Sequence, residues 1–231
     1  MPTTLPKSTR APRRDAAENR EAIVAAAATV FRHDPESSLD AVAAEAGLSR
    51  RALYGHFASR DQLLAELLTR GAARISGALA GVHDDDPRIH LALIGAALWQ
   101  EVQQMRVLAQ LAVHGPLERT VAEALLPVRT SVRDAVRRGV DDGCFRPDIP
   151  VESIARLVEE AAIAVLDEAV RTDLDEESGR RLVMSVGLSV AGLSWRETDA
   201  LLDSLQLPTT ARPTTPGRKT PGPTTPEAHT A

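Results

Sequence analysis

The sequence predicts an all-α fold, on three observations. Aromatic residues make up only 3% of the 231 positions, while Ala, Leu, Arg and Glu are abundant, and these side chains lose little rotamer freedom in a helix. Apolar residues recur three or four positions apart over long stretches, the stripe expected of helices packed on one side. No stretch alternates apolar and polar residues with period two for long enough to make a strand. Apolar residues at 43% supply a core, and the length suits one large domain or a small domain fused to a larger one.

The elements follow in order. Residues 1–15, with Lys7, Arg10, Arg13 and Arg14, read as a basic flexible arm. About nine helices come next. The first covers Ala16–Phe31, where Ile23, Ala27, Val30 and Phe31 share a stripe, and it stops at His33-Asp34-Pro35. The second is Leu39–Ala46, capped by Ser38 and ended by Gly47; the third is Arg50–His56, capped by Ser49. Ser59-x-x-Gln62 has the form of a capping box and opens the fourth, which runs to about Leu79. Pro87 suits the first turn of the fifth, about 88–105. The sixth covers about 106–113, and the seventh Leu117–Val140 with a kink at Pro127. The eighth and ninth cover about 151–171 and 175–195, followed by a short helix near 197–205. From residue 208 the chain is Pro, Thr and Gly without apolar periodicity, which reads as a disordered tail.

Residues 38–57 carry the most information. Ala43 is small where two helices must cross, Gly47 supplies a left-handed turn, Leu48 plugs that turn, and Ser49 caps the next helix. Val42, Leu48, Leu53 and Phe57 then meet the stripe of the first helix. The product is a three-helix unit whose third helix keeps one face free, and that face holds Arg50, Arg51, Tyr54 and His56. Such donors suit phosphates and base edges.

The run Ser38…Val42-Ala43…Ala46-Gly47-Leu48-Ser49…Leu53-Tyr54-x-His56-Phe57-x-Ser59-Arg60…Leu63 resembles the N-terminal domain of the TetR family of transcriptional regulators. It departs from the family at Ala52, where a Thr is usual, at Arg60 for Lys, and at His33–Glu36 for a glycine-aromatic turn. The resemblance implies a helix-turn-helix DNA-binding domain over 16–62 and a helical ligand-binding and dimerisation domain over 63–207. It implies that the third helix enters the major groove of a double-stranded DNA operator. Arg50 and Arg51 would then read bases, Tyr54 and His56 would bind phosphate, and Ser38, Ser49 and Arg60 would hold the backbone at helix starts. Arg13 and Arg14 would reach a flanking minor groove. It further implies a repressor released by a small-molecule effector.

A short reading helix covers few base pairs, so a homodimer on two half-sites is expected, about 34–36 Å apart or a multiple of that. Leu157, Ala161, Val165, Leu182, Val186, Ser189, Val190 and Leu193 are its candidate interface, because small and apolar residues there let helices approach closely. Trp99, Gln103, Met105 and His114, with Glu159 and Glu160, are polar or polarisable groups in otherwise apolar helices and are the candidate ligand contacts.

The net charge of −5 argues against a polyanion only until its distribution is read. Residues 1–60 hold nine Lys/Arg against seven Asp/Glu, and the rest hold 18 against 25. A basic end on an acidic body fits contact with nucleic acid at that end. Enzyme signatures are weak. Cys144 has no neighbouring His, Gly187–Gly192 lacks the spacing of a nucleophile elbow, and His83–His90 reads as a loop plus helix cap rather than a metal site. No cofactor is expected. The longest near-continuous apolar stretch, Leu91–Trp99, is far below the roughly 18–20 residues of a membrane span. The expectation is a cytoplasmic protein.

Overall fold

The computed structural model describes residues 11–114 and 118–205. Among them are eleven α-helices: α1 (Ala11–His33), α2 (Leu39–Glu45), α3 (Arg50–His56), α4 (Arg60–Leu79), α5 (Pro87–Val102), α6 (Arg106–His114), α7 (Glu118–Ala124), α8 (Leu126–Asp141), α9 (Val151–Thr172), α10 (Glu176–Ala191) and α11 (Trp195–Ser204). A 3-10 turn, Gln103–Met105, joins α5 to α6. The predicted all-α class holds, with no strand among the described residues.

Helix starts follow the polar side chains of the sequence. Ser38, Ser49 and Ser59 accept hydrogen bonds from the amides of Ala41, Ala52 and Gln62, at 3.3, 3.2 and 3.2 Å. Gln62 completes the start of α4 one residue further out than a capping box, with Oε1 accepting from the Ala58 amide at 2.7 Å. Asp86 caps α5, with Pro87 in its first turn. Gly47, at φ +66°, turns the chain between α2 and α3 as expected.

The helix count is higher than expected because one predicted helix is two. The stretch 117–140 does not kink at Pro127; it breaks at Leu125, and Pro127 lies in the first turn of α8. Proline has no amide hydrogen for the preceding turn and its ring crowds the carbonyl four residues back, so a fresh helix start accommodates it better than a continuous one. The last helices also shift. α10 ends at Ala191 because Gly192 takes φ +116°, and Ser194 then opens α11 with a full capping box to Glu197. At the other end α1 starts at Ala11 rather than Ala16, so it takes up residues assigned to the arm. Residues 1–10 and the Pro/Thr-rich segment lie outside the described residues.

Two apolar clusters organise the chain. The first joins Ile23, Ala27 and Phe31 of α1 to Val42, Leu53 and Phe57, and Val30 and Leu48 pack at its edge. It continues through Leu63, Leu64, Leu67 and Leu68 of α4 to Leu108, Ala112 and Val121 of α6 and α7. The second is built from α5, α8, α9 and α10 around Ile94, Val136, Ile154, Ala169 and Leu188. Helices approach closely at Gly179, where an added Cβ would sit 1.9 Å from the Trp99 ring. α4, twenty residues long and so about 30 Å from end to end, runs from the first cluster to the second.

Candidate functional site

The first site is the outer face of α3. Leu53 and Phe57 are fully buried, which fixes the roll of the helix and leaves Arg50, Arg51 and Tyr54 exposed and His56 half-buried at its end. The two arginines differ. Arg50 pairs with Asp40 of α2 at 2.8 Å, and its guanidinium lies 5.5 Å from the Tyr54 ring centroid. Arg51 has no ion pair or hydrogen bond among the described residues. Ser38 and Ser49 cap the two short helices on either side of the turn, each side-chain oxygen accepting from a first-turn backbone amide.

Arg60 departs from its expected place. Its guanidinium turns inward, donating to the Pro35 carbonyl and lying 5.2 Å from the Phe31 ring centroid, with Glu36 3.8 Å away. It fastens the turn between α1 and α2 instead of reaching outward. Position at a helix start says where a long side chain begins, not which remote carbonyl captures its head. Arg13 and Arg14 fall in the first turn of α1; their side chains lie outside the described residues.

Behind this head, α1 and α4 are bound by charge as well as packing. Arg70 grips Glu21 through both terminal nitrogens at 2.5 and 2.9 Å and Glu66 through Nε at 2.7 Å, and Arg20 also pairs with Glu66 at 3.0 Å. The Arg70 contact holds the Glu21 carboxyl below the ordinary glutamate range.

The second site is a cavity of about 500 Å³ among α4 to α10. Leu67, Ile75, Leu98, Val132 and Leu166 are typical of its wall, which is overwhelmingly aliphatic. Trp99 is buried in that wall, with its indole N–H donating to the Glu176 carbonyl at 2.9 Å, so it offers the cavity a ring rather than a donor. Met105, His114 and Glu160 also line the cavity, as does Glu159. Gln103 does not: it sits half-buried in the 3-10 turn, whose tighter winding carries it off the cavity face. The polar lining that sequence reasoning missed is Arg74, Glu101 and Arg129. Arg74 Nε bonds Glu101 at 2.7 Å, and Arg129 Nε lies 3.3 Å from Glu159. Burial pushes the Glu159 carboxyl above the ordinary glutamate range, against the pull of Arg129. No local signal marks these pairs, because each joins helices roughly thirty residues apart.

Along one edge of the cavity α6 carries opposite commitments. Leu108 and Ala112 belong to the first apolar cluster. Arg106 donates to the carbonyls of Ala169 and Leu174 at 3.1 and 2.7 Å, Gln110 to Asp167 at 2.9 Å, and His114 lies 3.1 Å from the same carboxylate. The helix is thus held by the head on one face and by α9 on the other.

The candidate dimer residues separate into two groups. Leu157 and Ser189 are exposed, and Ala161, Leu182, Val186 and Val190 are half-buried, the last three partly packed against the protomer's own core. Val165 and Leu193 turn into the protomer's own core and have no surface to give a partner.

Residues 23–67 match the family model for bacterial regulatory proteins of the tetR family. A search of curated protein sequences found no match. Several solved structures share the fold. RolR in complex with resorcinol is 17% identical with a TM-score of 0.61, the alignment covering 86% of this chain and 99% of that one. FadR from Bacillus subtilis in complex with stearoyl-CoA is 15% identical at TM-score 0.64, covering 74% and 98%. A TetR transcription regulator from Haloarcula marismortui is 21% identical at 0.63, covering 76% and 97%. No helix among the described residues is long and apolar enough to cross a membrane. Residues 23–67 thus match the tetR-family model of bacterial regulatory proteins, and the described residues share the fold of solved structures of such regulators.

Proposed function

We propose that the chain is a cytoplasmic, sequence-specific transcriptional repressor that binds a DNA operator as a homodimer and leaves it when a small molecule fills the cavity. One observation carries the reading: α3 presents Arg51, unpaired among the described residues, beside Tyr54 on the face its core contacts leave exposed. Arg51 would read a base edge and Tyr54 a phosphate, with Ser38 and Ser49 at helix starts aligning backbone amides toward the DNA. Arg50 and His56 would add phosphate contacts, and Arg13 and Arg14 a minor-groove contact. Arg60 would position the head rather than touch DNA.

The link from ligand to DNA is supported by shared helices. α4 lends Leu63 and Leu64 to the head and Arg74 and Ile75 to the cavity, and α6 is held from both sides. A ligand that spreads the cavity would act on the head through both. The outer faces of α9 and α10 are the proposed dimer surface. Structures of this fold that hold resorcinol and stearoyl-CoA support a small-molecule effector.

Gel shift against the DNA upstream of the protein's own gene, at low salt and with light scattering on the same sample, is the test. A folded dimer that binds tightly and loses affinity steeply with salt is expected. A folded protein with no affinity for that DNA beyond nonspecific DNA would sink the regulator reading, and a strict monomer at micromolar concentration would sink the dimer.

A further inference from the structure

We infer that the cavity is built for an amphipathic organic cation, an aliphatic body carrying one ammonium-type head, with Glu159 as the group that receives the head. This rests on the ligand-responsive reading above and names the chemistry of its effector.

The body follows from the wall. Among the described residues, Trp99 and the imidazole of His114 are the only rings in the lining, and the rest is mostly Leu, Ile, Val and Ala. A large flat molecule would find few stacking surfaces, whereas a flexible hydrocarbon finds aliphatic contact along most of the wall. A volume of about 500 Å³ lies within the ordinary range for a drug-sized ligand.

The head follows from charge. Among the described residues, three carboxylates line the cavity, on Glu101, Glu159 and Glu160, against two guanidiniums, on Arg74 and Arg129. The Arg74–Glu101 pair is closed: Nε meets the carboxylate at 2.7 Å and Nη2 the Glu101 carbonyl at 3.3 Å. The Arg129–Glu159 contact is longer, at 3.3 Å, and joins one nitrogen to one oxygen. Glu159 Oε1 has no hydrogen-bond partner among the described residues, although the side chain keeps only 26% of its exposure. Glu160, beside it at the rim, forms no ion pair among the described residues. Burial outweighs the pull of Arg129 and, more weakly, of Arg133 on this partly buried carboxylate, which is therefore undercompensated. A cation brings the missing charge. An anionic head would have to displace Glu159 from Arg129 and would add a fourth negative group. A neutral head would gain a hydrogen bond but no charge.

The chain has two tryptophans, and Trp195 is 67% exposed, remote from the wall that holds Trp99. The full chain carrying Trp195→Phe therefore reports on the cavity through Trp99 alone. It is titrated with dodecyltrimethylammonium, dodecanoate and dodecanol below micelle formation. Saturable change with the ammonium at a Kd at least tenfold below those of the other two is expected. Glu159→Gln should erase that tenfold preference and leave dodecanol unchanged, and Arg129→Gln should tighten the ammonium several-fold by freeing Glu159. The second variant keeps the test decisive even if the first folds poorly. Dodecanoate binding as tightly as the ammonium, preference unchanged in both variants, or no saturable response to any probe would each overturn the proposal. Gel shift on the same samples separates the two levels. Ammonium binding without release of DNA leaves the ligand class standing and defeats the ligand-responsive reading. Release by dodecanol or dodecanoate alone does the reverse.

Discussion

Arg50 and Arg51 are adjacent in sequence, yet the fold gives them different circumstances. Arg51 is unpaired and exposed, so Arg51→Ala should cost about 1–3 kcal/mol of operator binding and relax selectivity at one base pair. Equal weakening of all sequences, measured by competition gel shift, would remove it as a base reader. Arg50 is held by Asp40 at 2.8 Å. Asp40→Asn should release it to the phosphates and steepen the salt dependence of DNA binding by about one unit of log K per log salt. Arg60 is committed inward. Arg60→Ala should therefore lower stability by about 1–2 kcal/mol, read by denaturant unfolding, and leave the salt slope unchanged. A flatter slope would return Arg60 to the DNA.

Among the elements, the join of α5 to α8 carries an acid-sensitive contact. His90 is buried, with Nε2 3.2 Å from the Val82 carbonyl and Nδ1 facing an Arg138 guanidinium that also donates to the Asp84 and Asp85 carbonyls. Nδ1 must accept from Arg138, so the ring is neutral with its proton on Nε2. Burial first, and then Arg138, hold its pKa below the ordinary histidine value. The unfolded chain takes up this proton at a higher pH than the folded one. The stability it represents is complete above about pH 6.5 and declines as pH falls from there toward the folded value. His90→Asn should flatten that decline in urea unfolding between pH 7 and 5; an unchanged profile would assign the acid sensitivity elsewhere. α10 is constrained differently. Gly179→Ala would drive a Cβ into the Trp99 ring, and should cost about 1–3 kcal/mol while shifting Trp99 emission. Unaltered emission and stability would mean that the ring has room to move.

Across the whole molecule, what could be read from the sequence was what neighbouring residues decide. The caps at Ser38, Ser49, Ser59 and Asp86 and the turn at Gly47 are settled within a few positions, so the head and most helix starts were legible. Polar pairs across the cavity were not, because Arg129 meets Glu159 only after two helices have packed. The inward turn of Arg60 and the burial of Val165 and Leu193 have the same origin. The break at Leu125 was half legible: Pro127 marked the place but not its severity. One consequence concerns chain engineering. The apolar cluster of the head does not stop at residue 62, since it recruits Leu63, Leu64, Leu67 and Leu68, then Leu108, Ala112 and Val121. A fragment cut there would lose one wall of its core and expose the rest to water. Transplanting this head onto another sensor therefore requires either carrying α4 with its α6 and α7 contacts, or rebuilding that wall in the recipient.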